Sequence, residues 1–109
     1  MSAIAKMVMQ RFYTQAEGRP EKLPWHRDEP DALLRKAVQA RGGGGRALDV
    51  GCGAGVFTVW LARQGMKTTG IDLFPEAIAM ARDRAQAAGV AVELLAGDLF
   101  AFSGGQKFD

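Results

Sequence analysis

The chain has 109 residues and carries 14 Lys and Arg against 12 Asp and Glu, a formal net charge of +2; this suits a single domain and does not indicate a strongly basic nucleic-acid binder. Hydrophobic residues make up 48% and charged residues 24%, the composition of a folded globular protein rather than a disordered or fibrous one. One cysteine, Cys52, and one histidine, His26, exclude an internal disulfide, a CxxC metal site and a His-rich metal centre, so no metal is expected.

Ile4, Met7, Val8 and Phe12 recur at helical spacing and predict a short amphipathic helix near the N-terminus. From Thr14 to Pro30 three prolines and many charges predict an irregular segment, within which Trp25 and His26 stand out. A second helix is predicted from about Pro30 to Ala40, with Leu33, Leu34, Ala37 and Val38 as its apolar stripe, and Gly42 to Gly45 end it. Ala47 to Val50 is a short strand that leads directly into Gly51-Cys52-Gly53-Ala54-Gly55 and then a helix from Val56, closed by Gly65. Lys67 to Asp72 predicts a second strand, Pro75 opens a helix that Gly89 closes, and Val92 to Ala96 predicts a third strand ending at Gly97-Asp98.

Strands alternating with helices imply a parallel sheet with right-handed crossovers, which brings the three strand C-termini to one edge. Asp49, Asp72 and Asp98 all fall at or near such ends, where α/β folds bind ligands. Charge is divided accordingly. Residues 1–46 hold nine basic and five acidic side chains, whereas residues 47–109 hold five and seven. No apolar stretch approaches the roughly 20 residues of a membrane helix and the start lacks a signal-peptide block, so no membrane partner is expected and a cytoplasmic location is the default.

A glycine turn between strand and helix lets a ligand approach the backbone and presents free N–H groups to it. Spacing narrows the ligand. The dinucleotide pattern GxGxxG needs a small residue at position 56 or 58, where this chain has Val56 and Thr58, and no Gly-Lys-Ser/Thr of a P-loop occurs. Pyrophosphate binding, and with it a nicotinamide-dependent oxidoreductase, is therefore disfavoured. Each Asp has a plainer reading as a helix cap or turn former. Cys52 reads as a small turn-filling residue rather than a nucleophile, since no histidine accompanies it in the turn.

The run Leu48-Asp49-Val50-Gly51-Cys52-Gly53-Ala54-Gly55 resembles the first motif of class I S-adenosylmethionine-dependent methyltransferases, and Gly70-Ile71-Asp72 and Gly97-Asp98-Leu99 resemble the acidic motifs after the family's second and third strands. The segment Leu23 to Pro30, with Pro24-Trp25, is similar to the thiopurine and tellurite-resistance branch. The resemblance implies a Rossmann-like three-layer α/β fold with strands in the order 3-2-1, and S-adenosylmethionine as cofactor. It implies that Asp72 accepts hydrogen bonds from the ribose hydroxyls, which are stronger for being charge-assisted. Asp98 and the backbone of Leu99 would meet the adenine edge beside an apolar Leu73, Asp49 would face the amino-acid end, and Gly51 and Gly53 would leave room for the ligand. Trp25 either caps the cofactor pocket or packs under the N-terminal segment, and His26 reads as a surface or loop residue rather than a catalytic base.

The family sheet has seven strands, and this chain ends where the fourth would begin. Residues 1–45 are thus expected to be a helical, cofactor-capping segment and residues 46–109 the N-terminal half of a truncated methyltransferase domain. The expected function is methyl transfer to a small-molecule acceptor, the alternative being a non-catalytic remnant or fragment; catalytic residues are not legible. The unpaired edge of the first strand, with apolar residues on both sides of Asp49, invites self-association.

Overall fold

The computed structural model describes residues 2–98. The chain forms α1 (Ala3–Ala16), a single 3-10 turn (Pro20–Lys22), α2 (Ala32–Ala40), β1 (Arg46–Val50), α3 (Val56–Arg63), β2 (Lys67–Asp72), α4 (Pro75–Ala88) and β3 (Glu93–Ala96). The expected alternation of strands and helices is borne out, including both ends of β2.

The three strands form one parallel sheet with β2 in the middle, which is the expected order 3-2-1 read from the other edge. Register pairs Asp49 with Gly70 and Val50 with Ile71 on one side of β2, and Ile71 with Leu95 and Asp72 with Ala96 on the other. β2 is buried from Thr68 to Asp72. That burial suits β-branched Thr68, Thr69 and Ile71, whose stiff side chains pack well on a pleated surface. Three loops therefore open at the same sheet edge.

Local chemistry sets the helix limits. The Ser2 hydroxyl accepts from the Ala5 N–H at 3.1 Å and the Asp31 carboxylate accepts from the Leu33 N–H at 2.8 Å, each satisfying an N–H that the first turn leaves without a partner. The second helix consequently starts at Ala32 rather than Pro30, with Asp31 as its cap. α1 runs through Thr14 to Ala16, shortening the irregular segment expected there, and the 3-10 turn interrupts that segment again. α4 has no side-chain cap at Phe74, as its sequence implies; Pro75 opens it and Gly89, at φ 68°, closes it.

Two apolar clusters hold the layers together. Tyr13, Ala16 and Leu23 from the N-terminal segment pack with Phe74, Ala77 and Met80 around the start of α4. Ala47, Leu61 and Met66 pack with the partly buried Val38, Phe57 and Trp60. The expected stripe of α1 is a correction: Ile4, Met7, Val8 and Phe12 are exposed, and the helix meets the body through Tyr13 and Ala16. Leu33 and Leu34 of α2 are exposed too. Among the described residues no helix is long and apolar enough to cross a membrane.

Candidate functional site

The glycine turn hangs from the end of β2. The N–H groups of Gly51 and Cys52 both donate to the Ile71 carbonyl, at 2.7 and 3.0 Å, and the Gly53 N–H donates to Asp72 Oδ2 at 2.9 Å. The other oxygen of Asp72 accepts from the Phe74 N–H at 3.0 Å. One buried carboxylate thus fixes two loops, and a further bond from the Gly97 N–H to the Asp72 carbonyl, 2.8 Å, brings the loop after β3 to the same place. Bonds of this kind, with an ionised acceptor, are stronger than neutral ones. The plain reading of Asp72 as a turn former therefore holds as a structural fact, and because each carboxylate oxygen has two lone pairs, it leaves capacity for further donors.

The glycines differ in what requires them. A Cβ on Gly55, where φ is 85°, would lie 2.7 Å from Ala81 Cβ and 2.9 Å from Ala81 Cα, so this glycine serves the contact of α3 with α4. A Cβ on Gly51 would meet nothing within 4 Å, and one on Gly53 would meet the Tyr13 hydroxyl at 3.7 Å. Gly51 and Gly53 thus leave space above the turn. Their positive φ values, 71° and 55°, add the backbone reason for glycine.

That space is a cleft of about 840 Å³, within the size range of small-molecule sites. Asp49, Gly51, Gly53, Asp72, Leu73, Asp98 and Trp25 all line it, so seven of the eight expected site residues come together; the eighth, Leu99, lies outside the described residues. Trp25 both lines the cleft and packs, with its ring edge-on to Phe12 at 5.6 Å and to Tyr13 at 5.7 Å between centroids. The two readings of that residue are not alternatives. His26 lies in a loop, as expected, with its side chain 13% exposed; it also lines the cleft, with Nε2 2.7 Å from Asp28 Oδ1.

Burial controls the protonation of several groups. Asp49 accepts a hydrogen bond from the Thr58 hydroxyl at 2.7 Å; burial nevertheless pushes its carboxyl up, against the effect of that bond and helped by the Asp72 charge. Burial, with Asp49 and Asp72 beside it, pushes the Cys52 thiol up to about 12. A thiol so held is protonated and unreactive at neutral pH, consistent with a turn-filling role. Tyr13 is also pushed up to about 12, by burial first and then by Asp72 and Cys52. Tyr13 and Thr58 were not visible as site residues in the sequence. The spacing of Thr58 from the glycine turn is the one signal for its bond to Asp49, whereas the more prominent Ile4 to Phe12 stripe conceals the inward face of Tyr13.

Five carboxylates, from Glu29, Asp31, Asp49, Asp72 and Asp98, line the cleft with one guanidinium, Arg27. Such a lining suits a cation and hydroxyl donors and repels a pyrophosphate. Among the described residues no group of three or more His, Cys, Asp or Glu could hold a metal ion.

Comparison with known proteins agrees with this chemistry. A family described as methyltransferase domain matches residues 47–109. The chain is 39% identical over 75 residues to the ribosomal RNA small subunit methyltransferase C of Alcanivorax borkumensis, covering 67% of this chain and 23% of that protein. It is 42% identical over 74 residues to the ubiquinone biosynthesis O-methyltransferase of Xylella fastidiosa strain M23, covering 68% of this chain and 30% of that protein. The chain therefore spans less than a third of the length of either relative. Among solved structures, an S-adenosylmethionine-dependent methyltransferase from Thiobacillus denitrificans in complex with S-adenosylhomocysteine superposes with a TM-score of 0.67 at 30% identity, over 92% of this chain and 41% of that one.

Proposed function

Because the chain belongs to the class I S-adenosylmethionine-dependent methyltransferases, we propose that its 840 Å³ cleft binds S-adenosylmethionine for methyl transfer to a small-molecule acceptor. The observation that carries this reading is the suspension of the glycine turn from Ile71 and Asp72, with open space where side chains at Gly51 and Gly53 would stand. When bound, the cofactor supplies a methyl group on a positively charged sulfur that is already a good leaving group, so the protein need only bind and align.

In this reading Asp72 accepts from the ribose hydroxyls while still holding the turn. Leu73 gives the adenine an apolar surface, and Asp98 with the backbone of Leu99 meets its polar edge. Asp49, oriented by Thr58, faces the amino-acid end, and Trp25 closes the cleft from the N-terminal side. Residues 46–109 form the donor-binding part and residues 1–45 cap it. The excess of carboxylates over guanidinium in the lining favours a small acceptor over a phosphate backbone. Exposure of Val50 on β1, a strand paired on its β2 side alone among the described residues, supports self-association through that edge.

Calorimetry with S-adenosylhomocysteine tests the assignment. Binding that Asp72→Ala weakens more than tenfold is expected, since each charge-assisted hydrogen bond lost is worth about 1.5–3 kcal/mol. Unchanged affinity in a folded variant removes Asp72 from the site.

A further inference from the structure

The cleft is lined by the sole histidine of the sequence, and its placement is specific. His26 lines the cleft and also a second cavity of about 490 Å³ between the Gly18 to Asp28 segment and the faces of α3 and α4. Its backbone is tied down: the His26 backbone N–H donates to the Leu23 carbonyl at 3.1 Å, and Leu23 is buried in the cluster with Tyr13 and Phe74. Its Nε2 lies 2.7 Å from Asp28 Oδ1, and the Asp28 side chain is 86% exposed. An ionised carboxylate only accepts, so Nε2 donates and the ring's basic lone pair is on Nδ1.

Several other acid–base groups of the site already hold hydrogen bonds or are buried. Asp49 accepts from Thr58, Asp72 accepts from two backbone N–H groups, and the Cys52 thiol and Tyr13 phenol are both pushed up to about 12. From these observations we propose that His26, oriented by Asp28, is the general base that accepts the proton of the methyl acceptor. The proposal rests on the assignment of the cleft to S-adenosylmethionine, and it implies an acceptor whose nucleophilic atom carries a removable hydrogen, such as a hydroxyl.

The step balances without any further reagent. The acceptor atom forms a bond to the methyl carbon while the carbon–sulfur bond breaks and its electron pair stays on sulfur, leaving a neutral thioether. The acceptor's proton passes to Nδ1. The resulting imidazolium is stabilised by Asp28, which stays ionised and keeps the ring's orientation, and the proton then leaves to water. Charged groups also line the second cavity: Glu21 on the 3-10 turn, Arg63 on α3, and Asp83 and Arg84 on α4. The cleft side adds the carboxylates of Glu29, Asp31, Asp49, Asp72 and Asp98 and the guanidinium of Arg27. All of these are constant when one ligand replaces another.

That constancy supplies the test. A base within hydrogen-bond reach of an acceptor atom that is itself in contact with the methyl group lies within about 8 Å of the sulfur. The full chain is saturated in turn with S-adenosylmethionine, whose sulfur is charged, and with S-adenosylhomocysteine, whose sulfur is not. The imidazole of His26, the sole histidine of the sequence, is followed by NMR through a pH titration. The expected midpoint is lower with S-adenosylmethionine by about 0.4 to 1.5 pH units, the shift a unit charge produces at that distance for effective dielectric constants between 80 and 20. A carboxylate or amine common to both ligands cancels in the difference. Equal midpoints with both ligands bound overturn the base and leave the cofactor site standing. Calorimetry that finds neither ligand bound overturns the cofactor site and the base with it.

Discussion

Val59 and Leu61 of α3 are 5% and 4% exposed, whereas Ile4 of α1 and Leu33 of α2 are 72% and 76% exposed. All four belong to helices with apolar residues at helical spacing, yet one helix lies on the sheet and against α4 while the other two turn much of their apolar surface outward. In the strand-turn-helix region, contacts decide each position: Gly55 by Ala81, Asp72 by the N–H groups of Gly53 and Phe74, Thr58 by Asp49. In the N-terminal region a few aromatic and small residues do the anchoring, and the remaining apolar side chains have little around them. Periodicity specifies a helix and a face, whereas a partner for that face is a property of the whole fold.

The comparison predicts a graded response to substitution. Gly55→Val should be the most damaging, because it adds a branched side chain less than 3 Å from α4 at a positive φ; overpacking and left-handed strain together predict a loss of about 2–5 kcal/mol in urea unfolding. If the variant is as stable as the parent, the interlock of α3 with α4 is not what holds this region. Asp72→Ala comes next, with the expected fall in affinity for S-adenosylhomocysteine accompanied by a lower unfolding midpoint, since two backbone donors lose their acceptor.

Alkaline pH addresses the same region without mutation. Cys52 and Tyr13 have folded-state pKa values raised to about 12 from 9.0 and 10.0. Their contribution is complete below the unfolded values and declines as the unfolded chain ionises first, so stability should fall between about pH 9 and 12. Urea midpoints that stay level from pH 9 upward would mean that neither group is held neutral in the fold. The smallest effect belongs to the other region: Ile4→Lys and Leu33→Lys should each change stability by less than about 0.5 kcal/mol, as exposed positions do. Light scattering on the same variants reports whether these outward faces drive any self-association of the chain.

What the sequence made legible follows the same division. β1, β2 and the turn between β1 and α3 could be located because short apolar runs, closely spaced glycines and strand-terminal acids are local signals. The convergence of Asp49, Asp72 and Asp98 on one cleft follows from parallel strands alone. The cleft faces of Tyr13 and His26 were not legible, because each depends on how the N-terminal segment folds back over the turn. The local bond of Asp72 to the Phe74 N–H fits its reading as a turn former, but its hold on the glycine turn was hidden, since the Gly53 N–H lies 19 positions away along the chain.

Gly70, in the middle of β2, couples the central strand to the glycine turn and to β3. A Cβ there would stand 3.1 Å from both Cβ and Sγ of Cys52 and 3.0 Å from a methyl of Leu94. The volume missing from the central strand is thus filled by the side chain at the tip of the glycine turn and by a neighbour on β3. A methyl group at position 70 crowds the site while Cys52 and Leu94 keep their size; reducing Cys52 to glycine removes two of the three contacts, and the end of the Leu94 side chain must still give way. Substitutions at the two positions are therefore expected to be non-additive, although neither touches a charged group of the cleft.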